Sequence, residues 1–95
     1  MKLTFESTVI EWRGPAPFYF VPVPSEECEQ IAAVARAVSY GWGVIPVSAV
    51  IGSTSFTTSL FPKHGGYLLP IKQVVRTTEG LDIDDVISVQ LHLDL

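Results

Sequence analysis

Three basic side chains in the second half of the chain could together bind an anion. Lys72 and Arg76 stand four residues apart in a segment with helical periodicity, so they share one helix face. Lys63 lies in the Pro/Gly-rich loop before this segment, and Ser59 could add a neutral hydroxyl donor. These residue types favour an anion or an acidic partner, so the first hypothesis is a small binding site.

A structural alternative remains open for these residues. Lys72 and Arg76 could form ion pairs with acids such as Glu79 or Glu11 instead of holding a ligand. Trp42, which lies between two glycines, is an additional candidate for the site because aromatic side chains in loops can anchor partners. The alternative for Trp42 is a hydrophobic plug at one end of a barrel.

The remaining residues that could do chemistry do not form a recognisable catalytic or metal-binding motif. Ser59 and His64 are the nearest Ser/His pair, but a triad also needs an orienting acid and an oxyanion hole. Asp82, Asp84 and Asp85 are too closely spaced for a calcium loop and are typical of a solvated turn. We therefore expect a non-enzymatic protein that has no metal and no cofactor.

Composition narrows the classes of partner. The chain has 95 residues and a net charge of −4, and its six Lys/Arg are scattered, which disfavours nucleic-acid and membrane-surface binding. Its length predicts one domain. The single Cys28, in a helical pattern, is interpreted as a small buried side chain. We expect a cytoplasmic monomer or weak homodimer that binds a small acidic ligand or a protein partner.

Hydrophobic periodicity predicts a mostly β protein, a small barrel of about six strands with two short α-helices. The first strand changes phase at Ile10 and Trp12, which suggests a β-bulge near Val9–Ile10. The predicted strands cover residues 2–12, 18–23, 44–51, 55–61, 67–70 and 86–95, and the predicted helices cover 26–37 and a short segment from Ile71 to the stop at Gly80.

Two of these elements have clear patterns. Ile71, Val74, Val75 and Thr78 recur at i, i+3, i+4 and i+7, which predicts the short helix. In the last strand every odd-numbered residue from position 87 to 95 is apolar and every even-numbered one is polar. This alternation predicts a strand with one face on the core and one face in water.

Three separated segments, residues 11–18, 40–47 and 57–76, resemble the bacterial family called domain of unknown function 1905, and the resemblance extends from Phe5 to Leu93. It implies a double-split β-barrel similar to that of AbrB and MazE antitoxin DNA-binding domains. An AbrB-like DNA-binding regulator is therefore the alternative function, although the net charge disfavours it. Members are also found fused to a domain associated with bacteriocin protection, and the family supplies no catalytic residues to carry over.

Two positions depart from the family pattern. Asp84 occupies a position where such sequences usually have glycine, so we expect a backbone with positive φ there, which Asp tolerates better than most residues. Thr57 replaces a frequent arginine, which removes a basic group from any anion site at that position.

Overall fold

The computed structural model of the chain describes residues 1–12, 18–38 and 44–93. The predicted turn over residues 13–17, the loop that contains Trp42, and the last strand residue Leu95 lie outside these ranges.

Seven strands and two helices make up the described residues. In chain order the elements are β1 (Lys2–Thr8), β2 (Ile10–Trp12), β3 (Phe18–Pro22), α1 (Ser25–Val38), β4 (Ile45–Ile51), β5 (Thr54–Lys63), β6 (Gly66–Ile71), α2 (Gln73–Glu79) and β7 (Val86–His92). Neighbouring strands pair antiparallel in the order β1-β7-β4-β5-β6-β3-β2. The prediction of a mostly β fold with two short helices is confirmed, but Val9 divides the predicted first strand in two, which gives seven strands instead of about six.

The sheet curls into a half-barrel. Strands β1 and β2 lie at opposite ends of the strand order although they follow each other along the chain, so the two ends of the sheet must approach. Ser7 of β1 donates a 2.6 Å hydrogen bond from its hydroxyl to the carbonyl oxygen of Pro22 in β3. Within the described ranges no ladder joins β1 to β2, so the barrel expected from the sequence is open along this seam.

The core lies inside this curl, and β7, which pairs with β1 and β4, contributes buried side chains to it. Val89, Leu91 and Leu93 are at most 1% exposed, whereas Gln90 and His92 are exposed, which confirms the predicted alternation as far as Leu93. Burying each of these apolar side chains stabilises the fold by about 1.5–3 kcal/mol. Their buried neighbours from other strands include Leu3, Phe5, Ile45, Val47, Ala49, Ile51, Leu60 and Leu69.

Helix α1 covers one side of the core with an apolar stripe. Cys28 and Ile31 are buried on this stripe, and Glu26 and Glu27 in the first turn complement the positive end of the helix dipole. The Cys28 thiol donates a hydrogen bond to the Val23 carbonyl oxygen at 3.2 Å. Burial raises the pKa of this thiol, and the interpretation of Cys28 as a small buried side chain is confirmed. Neither α1 nor α2 is long and apolar enough to cross a membrane.

Helix α2 ends where the sequence predicted but begins two residues later. Gly80 adopts the left-handed conformation, with φ 64°, and donates its N–H to the Arg76 carbonyl. Of the four residues at helical spacing only Val75 is buried in the helix, and Val74 is 65% exposed. Ile71 is buried too, but it belongs to β6 because the helix begins two residues later. The short helix predicted from this spacing is therefore confirmed, with a later start.

Helix α2 is fastened to the turn between β4 and β5. The Glu79 carboxylate accepts hydrogen bonds from the hydroxyls of Thr54 at 2.5 Å and Ser53 at 3.5 Å. It crosses closely over Gly52, which has a φ of 60°, and a Cβ at Gly52 would overlap the carboxylate. Glycine is required here both for the backbone conformation and for the space.

The junction between β1 and β2 is held by the loop that precedes β7. Val9 donates its N–H to the Asp85 carbonyl at 2.9 Å and accepts from the Asp84 N–H at 2.8 Å. Asp84 has a φ of 74°, so the expectation of positive φ at this position is confirmed. In place of the predicted bulge the chain changes partners at Val9: β1 pairs with β7, and β2 pairs with β3.

Candidate functional site

An exposed aromatic cluster lies on the outer face of the sheet, where β2 pairs with β3. Trp12 stands opposite Phe18 and Ile10 opposite Phe20 in this ladder, so these side chains project to the same side. Phe20 is 8% exposed, and the next residue, Val21, is fully buried in the core. Consecutive strand residues face opposite sides of a sheet, so Phe20 faces away from the core that contains Val21. Its burial therefore comes from the other aromatic side chains of the cluster on the outer face.

The rings of this cluster pack around Phe20. The ring centroids of Trp12 and Phe61 lie 6.4 and 6.3 Å from that of Phe20, at interplanar angles of 73° and 69°. Phe18 packs beside Phe20 at 6.5 Å with a tilt of 50°. Edge-to-face geometry is favourable for aromatic pairs. Phe20 therefore forms a fixed floor, while Trp12, Phe18 and Phe61 stay 42%, 58% and 44% exposed.

Lys63 reaches across this cluster. Its ammonium nitrogen lies 2.9 Å from the centroid of the Trp12 ring, which is a cation–π contact. A groove of about 520 Å³ opens between the rings and this lysine, and we name it the aromatic groove. Its lining residues are Trp12, Phe18, Phe20, Thr58, Phe61, Pro62, Lys63 and Pro70.

A second groove adjoins the first and contains the predicted basic pair. It has a volume of about 490 Å³, and we name it the basic groove. The Arg76 guanidinium carbon lies 3.7 Å from the centroid of the Tyr19 ring, so the two groups are in cation–π contact. The lining residues are Phe18, Tyr19, Pro70, Ile71, Lys72, Gln73 and Arg76, and the two grooves meet at Phe18 and Pro70, which line both.

Charge is unevenly distributed around these grooves. Three of the six basic residues of the chain, Lys63, Lys72 and Arg76, line them, and among the residues that the structure describes no acidic side chain lines either groove. The chain as a whole has a net charge of −4. The two grooves therefore form a locally positive surface on an acidic protein, which favours an anionic occupant.

The structure brings together three of the five predicted site residues. The prediction that Lys72 and Arg76 share one helix face was wrong, because Lys72 is the N-cap of α2 and has an extended backbone. Both residues nevertheless line the basic groove, and Lys63 lies in the aromatic groove next to it. Ser59 stands opposite Pro46 in the β4–β5 ladder and lines neither groove. Trp42 lies outside the described residues.

The two acids proposed as ion-pair partners differ in their placement. The Glu79 carboxylate bonds to Thr54 and Ser53, and the Arg76 guanidinium stacks on Tyr19. Glu11 stands directly opposite Tyr19 in the β2–β3 ladder but does not line the basic groove.

The sequence interpretation missed Trp12, Phe18 and Phe61 as parts of a site. The available signal was the apolar pair Ile10 and Trp12 at even positions, which was attributed to a bulge. Both faces of this part of the sheet carry apolar side chains, and a strand covered on both faces gives the same pattern.

The other groups considered from the sequence line neither of the two grooves, although Asp82 lines a smaller cavity together with Tyr19 and Arg76 of the basic groove. His64, with a φ of 51°, lines a separate cavity of about 580 Å³ beside Cys28, and Ser59 does not line that cavity. Asp82 and Asp85 close a turn in which the Asp82 N–H donates to the Asp85 carboxylate at 2.8 Å. In the part of the chain that the structure describes, no three His, Cys, Asp or Glu side chains are grouped to hold a metal ion.

Comparison with known proteins identifies a family over nearly the whole length. The family model described as "Domain of unknown function (DUF1905)" matches residues 5–91. These residues include both helices and all the strands except the start of β1 and His92 at the end of β7, and they contain both grooves. No curated protein matches the chain.

Proposed function

The chain belongs to the domain of unknown function 1905 family, and we propose that it is a non-enzymatic binding module that takes a small acidic ligand in the two adjoining grooves. The observation that carries this proposal is the stacked Arg76 beside Lys72, at the edge of an apolar groove that contains Lys63. The lining side chains supply positive charge and apolar surface, which is the chemistry of holding an anion that has an apolar body.

Stacking on Tyr19 prepares Arg76 for an anion. The guanidinium carbon lies 3.7 Å from the centroid of the Tyr19 ring, and the contact with the ring leaves N–H groups of the guanidinium available as donors to an anion. A guanidinium fork binds a carboxylate or a phosphate through two parallel hydrogen bonds. The ring also limits the motion of the long arginine side chain, so less conformational entropy is lost when the ligand binds.

Titration with ring-free acids tests the proposal. The probes are inorganic phosphate and citrate, and the readout is the shift of backbone amide and arginine Nε–H signals in two-dimensional NMR. We expect Arg76→Gln and Lys72→Gln each to weaken binding about three- to tenfold, because a charge-assisted hydrogen bond at a partly exposed position is lost.

A matched control separates a site from general attraction. Lys2→Gln makes the same change in net charge, but Lys2 lies on β1, opposite His92 and away from both grooves. We expect Lys2→Gln to leave the affinity unchanged. If Lys2→Gln weakens binding as much as Arg76→Gln, the acids are attracted by overall charge and the proposal is wrong.

The same variants test the alternative of an AbrB-like DNA-binding regulator. Binding to duplex DNA through phosphates falls steeply with salt concentration. Retention on heparin at low salt that Arg76→Gln abolishes, together with no shift by phosphate or citrate, would favour DNA over a small acid.

A further inference from the structure

We infer that the acidic ligand carries a planar aromatic ring: the ring lies in the aromatic groove, and the attached anionic group reaches Arg76 in the basic groove. This inference rests on the proposed function and adds the chemical class of the ligand. The class is an aromatic ring joined to a carboxylate or a phosphate, and an aromatic carboxylic acid and a nucleoside monophosphate both satisfy it.

The aromatic groove has the form of a ring-binding site. Phe20 is fixed as a buried floor, and the exposed faces and edges of Trp12, Phe18 and Phe61 stand around it. Large aromatic side chains that are 42–58% exposed within one patch leave apolar surface in water unless a ligand covers it. Stacked or edge-to-face contact with a planar ring covers such surface well.

Lys63 shows that the Trp12 face is open to an incoming group. Its ammonium already lies over that face, 2.9 Å from the ring centroid, and holds the position that a ligand ring would take. A flexible lysine side chain can move aside, and its charge can then pair with the acid group of the ligand. A cationic ligand would be repelled by Lys63, and by Lys72 and Arg76 in the adjoining groove.

The wall that the two grooves share determines how far apart the ring and the anionic group of the ligand can be. Phe18 and Pro70 line both grooves, so a ring on one side of them and an anion on the other need only a short linker. The Arg76 guanidinium, stacked on Tyr19 at 3.7 Å, is the fork that receives the anion.

The experiment compares four probes by NMR titration of the full chain. Indole-3-acetate and adenosine 5′-monophosphate carry a ring and an anion, cyclohexylacetate replaces the planar ring by a puckered one, and tryptamine reverses the charge. We expect the two ring-bearing anions to bind about five- to hundredfold more tightly than cyclohexylacetate, which is the range for stacking on aromatic side chains. The tighter of these two then tells whether the anion is a carboxylate or a phosphate.

A second readout reports on the groove itself. In the free protein the Trp12 ring current should shift the Lys63 Hε signals upfield, and we expect these signals to move back when a ring-bearing anion displaces the ammonium. Phe61→Leu should weaken the ring-bearing anions about tenfold and leave cyclohexylacetate nearly unchanged. Val86→Ala, at an apolar β7 residue that is 67% exposed, is the control and should have no effect.

The outcomes separate this inference from the proposed function. Equal affinities for indole-3-acetate and cyclohexylacetate, with unmoved Lys63 signals and an Arg76→Gln effect on both, would overturn the ring class and leave the acid site standing. Tryptamine that binds as tightly as indole-3-acetate, with no Arg76→Gln effect on any acid, would overturn both.

Discussion

Replacing Gly52 by alanine tests how α2 is fastened to the β4–β5 turn. The Gly52 φ of 60° is unfavourable for alanine, and the new Cβ would displace the Glu79 carboxylate from its place. That carboxylate accepts the 2.5 Å hydrogen bond from Thr54. The substitution therefore adds backbone strain and breaks the contact between the helix and the turn.

The backbone strain and the loss of the hydrogen bond lower the free energy of unfolding by similar amounts. A left-handed backbone costs a non-glycine residue about 1–2 kcal/mol, and the lower entropy of the unfolded chain returns about 0.4–1 kcal/mol of this. Loss of a partly exposed hydrogen bond to a carboxylate costs about 1–1.5 kcal/mol. We expect Gly52→Ala to lower the free energy of unfolding by about 2 kcal/mol and Tm by about 10 °C.

Urea unfolding measures this change, and a second glycine is the matched control. Gly65 also has a positive φ, 78°, but no atom lies within 4 Å of a Cβ built on it. Gly65→Ala should therefore show the backbone strain alone. In a Glu79→Ala background the cost of Gly52→Ala should fall to that of Gly65→Ala. Two results would refute the idea that Glu79 holds α2 to the β4–β5 turn. One is an equal loss in the free energy of unfolding for Gly52→Ala and Gly65→Ala in the unmodified chain. The other is a loss for Gly52→Ala that is the same with and without Glu79→Ala.

Two further predictions concern Asp84 and Cys28. Because Asp84 has a φ of 74°, Asp84→Ala should lower the free energy of unfolding by about 1 kcal/mol and Asp84→Gly should leave it equal or higher; the reverse order in urea unfolding would mean that the aspartate side chain itself holds the turn. Burial raises the pKa of the Cys28 thiol above its ordinary value of 9.0, so above that pH the unfolded chain releases this proton first and stability falls with rising pH. Cys28→Ala should remove this part of the pH dependence in parallel unfolding curves, and identical pH slopes for both proteins would contradict it.

The sequence predicted best those elements whose pattern has a local cause. Apolar and polar residues alternate in β7 because one face of the strand packs on the core and the other faces solvent, and the alternation holds as far as Leu93. Gly80 ends α2 because a left-handed residue is needed after the last turn. The positive φ of Asp84 was expected from the glycine that the family usually has there.

The candidate site could be predicted only in part, because its shape depends on strand order. Lys72 is the N-cap of α2 and Arg76 lies one turn into the helix, so their spacing of four residues was enough to predict that they lie close together. Their closeness to Trp12 arises because β3 lies between β2 and β6, which are about 55 residues apart in the chain. The local sequence patterns of β2 and β6 do not indicate that β3 lies between them.

The phase change at Ile10 and Trp12 shows how one pattern can have two physical causes. A bulge turns the core-facing side chains over, whereas a strand that is covered on both faces has apolar residues on each. The strand register distinguishes these two causes. Trp12 stands opposite Phe18, and both lie on the outer face of the sheet, where Phe20 is buried by its aromatic neighbours and not by the core cluster. The even-numbered apolar residues here mark a second, outer apolar surface, and that surface is the groove to which we assign the ligand ring.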